Sequence, residues 1–267
     1  MFPLIKREFL RNRTSFIIYC VISVGFVWMY IALFPSIKEQ SAQLDDLLKA
    51  FPDSFMKAFG IERASYGKVE NYLASELMTF LWPILAVILS VSRAGSSIAG
   101  DIENRTIGIE LSLPISRSRI YFAKFIGGMV SILVFCFFSI FSILPFCALY
   151  NIDIKAGNIS MLFLLCVLFC CSIFAMSLFF SAYVSEKGKV YFAVGGILIV
   201  SYVANIVALI SDGFYWLRHF AFFHYFTSFD ALNTGTITWG SIFFFLGLTF
   251  ISTALGMWKF INRDISI

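Results

Sequence analysis

The sequence predicts an all-α membrane protein with six transmembrane helices. Six uncharged, mostly apolar runs divide the chain, and five of them are longer than the roughly 20 residues that a helix needs to cross a bilayer. In lipid each backbone amide must find its partner within its own segment, so such runs form helices. Only 13% of the residues are charged and 60% are hydrophobic. The predicted spans lie at about residues 15–35, 73–93, 124–150, 159–184, 190–211 and 237–259.

The first predicted element precedes these spans. Phe2, Ile5 and Phe9 fall at helical spacing, whereas Lys6 and Arg7 lie largely elsewhere on the helical wheel. A basic amphipathic helix of this kind lies in the headgroup plane with its apolar side toward the lipid. We therefore predict an N-terminal interfacial helix. The alternative is a plain positively charged anchor at the start of the first span.

Lysine and arginine residues separate between alternate loops. The N-terminal segment, loop 93–124, the loop around Lys187 and the C-terminal tail are rich in them, whereas the short opposite loops hold only Lys155 and Arg218. Cytoplasmic loops carry an excess of these residues. We expect a multi-pass protein of the plasma membrane, of bacterial origin, with both termini in the cytoplasm.

The external loop, residues 36–72, carries a helical signal of its own. Leu44, Leu47, Leu48 and Phe51 follow the helical repeat, and a second apolar stretch follows them. We predict two short amphipathic helices that rest on the outer membrane face or on neighbouring spans.

Residues 214–232 form a second irregular segment on the outer side. The segment is rich in phenylalanine, too short to cross a bilayer and too apolar to lie in water. A re-entrant or interfacial segment satisfies both limits. The alternative is an aromatic belt at the end of a span.

The polar loop between the second and third spans, residues 94–123, is longer than a simple turn requires. It contains an acidic pair, Asp101 and Glu103, then spaced apolar residues, and then the run Pro114–Arg117. Ser116 stands where a helix N-cap is expected. The pattern predicts a short helix that is presented on the cytoplasmic side. The alternative is a solvated extension of the two spans.

This loop resembles the signature loop of type-2 ABC exporter permeases. In that family an acidic cluster precedes a Gly-Thr step and a leucine-rich turn that ends in Pro-[Ile/Val]-Ser-Arg. Arg105 stands where the family usually has glycine, and Gly108 where it usually has an acidic residue. The resemblance extends to the six spans, the basic amphipathic start and the C-terminal tail. The matching loop residues are Asp101, Glu103, Arg105, Thr106, Leu111, Leu113 and Pro114 to Arg117.

The resemblance implies the type-2 ABC exporter fold, with residues 1–267 forming a single permease domain. Two such permeases, identical or different, would pair with two ATPase subunits that bind ATP and Mg²⁺. The chain agrees with a non-catalytic role, because its Gly188-Lys189 step is followed by Val190 and it contains no phosphate-binding loop motif. Loop 94–123 would be the coupling loop. Its ATPase-contacting residues would be Asp101, Glu103, Arg105, Thr106, Glu110, Pro114, Ser116 and Arg117.

The expected function is export of an amphipathic or hydrophobic cargo, such as a peptide, a drug or a lipid-like molecule. The chain contains 33 phenylalanines, and a pathway lined by aromatic and aliphatic side chains suits such a cargo. Asn205, the most polar residue well inside a span, either bonds to a neighbouring helix or lines the pathway. Gly195 and Gly196 are candidates for close helix packing.

Two alternative functions stay open at this point: an ion-coupled carrier, and an immunity or assembly subunit that moves nothing. Apart from Lys124 and Lys259 at their ends, predicted spans three to six contain no aspartate, glutamate, lysine, arginine or histidine, which disfavours ion coupling. A membrane enzyme would use His219, His224 and Asp230, but no catalytic motif accompanies them. We expect no metal site, because the cysteines lie in apolar runs. Nucleic-acid binding needs a clustered basic face, for which the chain has no room.

Overall fold

The computed structural model describes residues 2–41, 66–210 and 212–264. In these ranges every regular element is a helix, and six helices are long and apolar enough to cross a membrane. They occupy the six predicted runs, so the predicted all-α membrane fold is confirmed. We number the α-helices α1 (Phe2–Leu10), α2 (Arg13–Glu39), α3 (Val69–Ser97), α4 (Ala99–Glu103), α5 (Ile107–Leu111), α6 (Arg117–Leu149), α7 (Ala156–Tyr183), α8 (Lys187–Ile210), α9 (Ser228–Asn233) and α10 (Trp239–Asn262).

The long helices extend beyond the predicted spans at several ends. Helix α2 continues through Pro35 to Glu39, and α3 begins at Val69, four residues before the predicted span. Backbone hydrogen bonding continues into water, where charged side chains are tolerated. An apolar run therefore marks the part of a helix that lies in lipid and not the ends of the helix. The helices predicted in the external loop, near residues 44–59, lie outside the described residues.

Helix α7 is central to the bundle and packs against α3, α6, α8, α9 and α10. Two glycines permit close contacts around it. At Gly128 of α6 an added Cβ atom would overlap the ring of Phe174, and at Gly256 of α10 it would lie 3.1 Å from the backbone of Phe179. Lipid tails are as apolar as leucine, so close van der Waals packing, and not hydrophobic burial, holds membrane helices together.

Helix α3 contains a wide π-helical segment at Leu73–Leu81, directly before Pro83. Proline has no amide hydrogen, and its ring clashes with the carbonyl group four residues earlier, here that of Thr79. A π-helical turn shifts the hydrogen bonding by one residue and avoids this clash. The hydroxyl of Thr79 donates to the carbonyl of Ala74 at 2.8 Å and supports the wider turn. Pro83 thus widens the helix upstream of itself.

Hydroxyl groups join three helices inside the bundle. The indole Nε1 of Trp82 in α3 donates to the hydroxyl of Ser139 in α6 at 2.6 Å. The Ser139 hydroxyl also bonds to that of Ser23 in α2 at 2.6 Å. The Trp82 ring stacks on Phe135 and Phe226. Interhelical hydrogen bonds of this kind are stabilising in lipid because no water competes for the donors.

The segment between α8 and α10 does not cross the bundle. It contains two short 3₁₀ helices, Asp212–Phe220 and Phe222–Tyr225, followed by α9. Phe222 is buried against Phe169 of α7, whereas Phe220 is exposed. The predicted irregular segment at residues 214–232 is therefore helical in short pieces, with one side on the bundle and aromatic side chains on the other.

We predict that the substitution Gly128→Ala destabilises the protein. The added methyl group overlaps the Phe174 ring, and overpacking of this kind costs about 1–3 kcal/mol. The measurement is the melting temperature of the purified protein in detergent. Gly25→Ala is the matched control, because an added Cβ meets no atom within 4 Å at this position. Equal melting temperatures for the two variants would contradict the packing described for α6 and α7.

Candidate functional site

Both ends of the described chain and the segment between α3 and α6 lie at one end of the bundle, which we call the terminal face. Arg117, the first residue of α6, donates to the carbonyl groups of Ile261 at 3.2 Å and Arg263 at 2.6 Å. Arg263 in turn donates to the carbonyls of Ala182 at 2.8 Å and Val184 at 2.9 Å. These contacts connect the ends of α6, α7 and α10.

The segment 98–116, which we call the connecting segment, turns sharply between α4 and α5. Arg105 has a left-handed backbone conformation, with φ of 56°. Thr106 closes the turn, because its amide donates to the carbonyl of Asp101 at 2.8 Å and its hydroxyl to the Asp101 carboxylate at 3.0 Å. The left-handed region favours glycine, and a residue with a Cβ pays roughly 1–2 kcal/mol there. Arg105 therefore has, at this turn, a backbone conformation that glycine adopts without strain.

Three carboxylates from three elements meet one buried ammonium group at the terminal face. Lys124 of α6 pairs with Asp101 of α4, with Glu110 of α5 at 2.9 Å and with Glu8 of α1 at 4.0 Å. Its Nζ also donates to the carbonyl of Ser97 at 2.9 Å. All four charged side chains are buried. We call these residues, together with Arg7, Arg11 and Arg93, the ion cluster.

The other cations of the cluster are arginines. Arg7 lies in α1, Arg11 directly follows α1, and Arg93 lies in α3. Arg11 places one nitrogen 2.8 and 2.9 Å from the two carboxylate oxygens of Asp101, and Arg7 pairs with Glu110 at 3.0 Å. Burial by itself would raise the pKa of Asp101. The charges of Lys124 and Arg11 outweigh burial and hold this pKa below its ordinary value. The ionised Asp101 carboxylate therefore contributes its full stabilisation of the folded state above the ordinary pKa of aspartate. This stabilisation is lost as the pH falls through the lowered pKa of Asp101.

Arg93, near the end of α3, binds the C-terminal end of α1. Its guanidinium group donates to the carbonyl of Phe9 at 2.8 Å, to that of Arg11 and to the hydroxyl of Ser131. The last carbonyl groups of a helix have no partner within the helix and carry a partial negative charge, which a cation stabilises. Arg93 therefore fixes α1 against α3 and α6.

A groove of about 290 Å³ lies between α3 and α8, with Phe223 at its end near the opposite face. The lining is apolar except for the hydroxyl groups of Thr79 and Tyr202. Its side chains on α3 begin in the π-helical segment and continue past Pro83. The lining residues are Thr79, Phe80, Pro83, Ile84, Val87, Ile88, Gly195, Leu198, Ile199, Tyr202 and Phe223.

A family model described as an ABC-2 family transporter protein matches residues 3–265, nearly the whole chain. The chain belongs to the ABC-2 transporter family. It is accordingly a multi-pass permease subunit of an ABC transporter. No curated protein sequence matches the chain.

The residues of the permease that were predicted to contact an ATPase differ in exposure and form three groups. Asp101 and Glu110 are only 4% and 3% exposed, because the buried cations of the ion cluster bind their carboxylates. These two residues hold the connecting segment in place and do not form its surface. The exposed group contains Glu103, Arg105, Pro114 and Ser116, whereas Thr106 and Arg117 are half-buried.

The surface of the connecting segment also carries apolar side chains. Ile109 of α5 is 66% exposed and Leu113 is 43% exposed, and Pro114 lies beside them in the chain. We call these three residues the apolar patch. The patch lies at the terminal face and not at the apolar middle of the bundle. Charged side chains of the same part of the chain, such as Glu103 and Arg105, are also exposed.

The residues of α1 that were predicted to anchor it in the membrane have two environments. One side of α1 packs on α6, where Glu8 and the carbonyl of Ile5 approach Gly127 closely. Glu8 was absent from the predicted set, yet it is the buried residue of this helix. Phe2, Lys6 and Arg7 are exposed, and Ile5 and Phe9 are half-buried.

The residues of α8 predicted for packing or for a pathway differ in their surroundings. Gly195 lines the groove, whereas Gly196 does not. An added Cβ atom meets nothing within 4 Å at either glycine, so neither is a point of close packing within this chain. Asn205 is half-buried and lies outside the groove lining.

Sequence reasoning missed Glu8, Arg11, Arg93 and Lys124 as members of a site. Arg93 and Lys124 stand at the ends of spans, where basic residues are explained by membrane orientation alone. The available signal was Glu8, a single carboxylate in an otherwise basic amphipathic helix.

The histidines considered for catalysis lie near the opposite face. The Nε of Arg218 donates to Nδ1 of His224 at 2.8 Å. Burial, together with the charges of Arg218 and His219, lowers the pKa of His224 to about 4. His224 is therefore neutral near pH 7, with Nδ1 occupied as an acceptor, and this arrangement does not favour a general base.

We predict that Lys124→Met releases α1 from the bundle. The change leaves three buried carboxylates with less counter-charge, and breaking a buried ion pair costs about 3–5 kcal/mol. Hydrogen exchange of the backbone amides of residues 2–10, measured in lipid nanodiscs, should accelerate. The matched control is Lys189→Met, because the Lys189–Glu186 pair is more than half exposed and such pairs contribute about 0–1 kcal/mol. Unchanged exchange in both variants would show that the ion cluster does not hold α1.

Proposed function

We propose that the permease exports an amphipathic or hydrophobic cargo, driven by ATP that a separate ATPase subunit hydrolyses. The observation that carries this proposal is the apolar patch on a connecting segment that buried ion pairs hold in place. Family membership supports an ABC transporter. The resemblance of the segment to the loop of type-2 exporters implies that it would meet the ATPase. The terminal face is then the cytoplasmic face, in agreement with its excess of lysine and arginine.

The connecting segment suits a role in transmitting force. A flexible loop would absorb the movement of a bound partner. A segment that is fixed to α1, α3 and α6 instead passes this movement to those helices. The buried members Asp101 and Glu110 supply this rigidity. Glu103, Arg105 and Ser116, which are exposed on the same segment as the apolar patch, would contact the partner.

The partner ATPase would bind ATP and Mg²⁺. We propose two ATPase copies and a second permease chain, identical or different, as the resemblance to type-2 exporters implies. An apolar patch at the centre with polar residues at its rim is the usual arrangement of a protein interface. Ile109 and Leu113 would form the centre, and Glu103, Arg105 and Ser116 the rim.

The groove between α3 and α8 is the proposed contact surface for the cargo. Its volume of about 290 Å³ is at the lower limit for pockets that enclose a whole drug-sized ligand, which have about 300–1,000 Å³. The groove therefore suits an acyl chain or the apolar side of an amphipathic peptide. The Thr79 and Tyr202 hydroxyls offer hydrogen bonds to a polar group of such a cargo.

The arrangement of charges favours this function over an ion-coupled carrier. Ion coupling needs ionisable groups along a path through the membrane. The carboxylates of the ion cluster instead pair with Lys124, Arg7 and Arg11 at the terminal face. The groove lining in the described residues contains no ionisable side chain apart from Tyr202. A subunit that moves nothing has no use for such a groove.

We predict that an ATPase subunit copurifies with the tagged permease from native membranes. The double variant Ile109→Asp, Leu113→Asp should reduce the recovered ATPase at least about tenfold, equivalent to about 1.4 kcal/mol of binding, because charges replace the centre of the interface. The control is Thr236→Asp, an exposed residue near the opposite face.

Two results would contradict this proposal. Recovery of the ATPase with the double variant at the level of the unchanged permease would show that the apolar patch is not the contact surface. A permease that is recovered alone, and is active with an ion gradient and no nucleotide, would show that ATP does not drive it.

We predict that Gly195→Phe blocks the groove. The ring enters the space between α3 and α8, because no atom lies within 4 Å of the added Cβ. ATP-driven uptake of a fluorescent acylated peptide into inside-out vesicles should fall about tenfold, equivalent to about 1.4 kcal/mol. Gly196→Phe is the matched control, because the neighbouring glycine also has open space but does not line the groove. Equal loss in both variants would rule out the groove as the cargo surface.

A further inference from the structure

The groove between α3 and α8 ends abruptly toward the terminal face. Its lining stops at Ile88 on α3 and at Gly195 on α8. One to two turns further along, the ring of Tyr191 rests on Gly95, so closely that an added Cβ atom on the glycine would lie 2.5 Å from Cε1 of the ring. The two helices are apart along the groove and in contact at this point.

Tyr191 and Gly95 lie on the helix faces that form the groove. Residues separated by three or four positions share one side of a helix. Tyr191 stands four residues before Gly195, and Gly95 stands seven residues after Ile88, so both continue the lining rows. The Tyr191 ring is therefore in line with the groove and closes it toward the terminal face. Tyr191 is 36% exposed, so its ring can turn away without opening a cavity in the core.

The connecting segment reaches the start of α8 through one hydrogen bond. Glu103 is the last residue of α4, and Lys187 is the first residue of α8. The Glu103 carboxylate accepts a hydrogen bond from the backbone amide of Lys187 at 2.9 Å. The first amides of a helix have no partner within the helix and attract negative charge. The neighbouring carboxylate of Glu186 instead pairs with Lys189 at 2.6 Å. Glu103 thus caps α8 from another element.

The other end of α4 is fixed to α7. The hydroxyl of Ser181 accepts the amides of Ile98 at 3.3 Å and Ala99 at 2.8 Å. Helix α4 therefore lies between α7 and α8. Ser181 of α7 binds the first turn of α4, and Glu103, the last residue of α4, caps α8. A displacement of the end of α4 is therefore passed by Glu103 to the start of α8, four residues before Tyr191.

We propose that the Tyr191 ring on Gly95 is the gate that closes the cargo groove toward the terminal face, and that Glu103 is the residue that positions this gate. The inference rests on the proposed function, because it assigns the groove to cargo and the connecting segment to the ATPase. Gly95 permits closure, since any side chain there would displace the ring. Movement of the connecting segment pulls on the cap of α8 and lifts Tyr191.

The test measures whether a reagent reaches the groove from the terminal face. A Leu198→Cys reporter lies in the groove lining and is buried. A membrane-impermeant maleimide is added outside vesicles that are oriented with the terminal face outward. The labelling rate is measured relative to the chain with only its native cysteines. The experiment needs neither nucleotide nor cargo, so it stands even if the proposed function fails.

Tyr191→Ala and Glu103→Ala should each accelerate labelling of the reporter about tenfold, equivalent to a shift of about 1.4 kcal/mol between closed and open forms. Tyr191→Phe retains the ring and should label at the original rate. Glu103→Gln retains an acceptor oxygen for the Lys187 amide and should also label slowly. Gly196→Ala, on the same helix but outside the groove, controls for general loosening.

Each contrary result overturns a defined part of the proposal. Original labelling rates in Tyr191→Ala, or fast labelling in Tyr191→Phe, would overturn the gate. Fast labelling in Tyr191→Ala together with the original rate in Glu103→Ala would overturn the role of Glu103. In the complex with the ATPase, Glu103→Ala should also lower transport per ATP hydrolysed, whereas Glu103→Gln should restore it. A complex without ATPase activity would overturn the proposed function and leave the labelling result intact.

Discussion

The arrangement of the terminal face depends on the neutralisation of buried charge. Glu8, Asp101 and Glu110 come from three elements, and each carboxylate is buried at a large cost unless a cation lies beside it. Lys124 faces all three, and the arginines of α1 and its following turn complete the compensation. Because none of these groups can separate without leaving an unpaired buried charge, α1, α4, α5 and α6 keep one relative position. The surface that the connecting segment presents follows from this constraint.

The membrane part of the bundle uses a different kind of interaction. Glycines at Gly128 and Gly256 allow aromatic rings and backbone to approach, and hydroxyl groups link α2, α3 and α6 through Ser139. Along the stretch of α3 and α8 where such close contacts are absent, a groove remains. Rigid packing around α7 and an open seam at α8 together give a fixed part and a part that is able to move. Glu103 connects this seam to the connecting segment.

The sequence-based prediction of the fold succeeded for a physical reason. A helix in lipid needs only length and apolarity, and both can be counted along one segment. The same counting could not find the ends of α2 and α3, which continue beyond the lipid. It also could not separate buried from exposed charges in the connecting segment. Asp101 and Glu103 are two residues apart, yet one lies in the ion cluster and the other caps α8.

The amino-acid sequence was sufficient to establish the six helices, their order, the long connecting segment and the resemblance of its motif to a transporter family. These features are local, since each is written in consecutive residues. Tertiary structure alone decided that Glu8 and Lys124 meet, that Gly195 lines a groove while Gly196 does not, and that Tyr191 rests on Gly95. Each of these depends on how two distant helices are rotated and how closely they approach, and no single segment of sequence determines that.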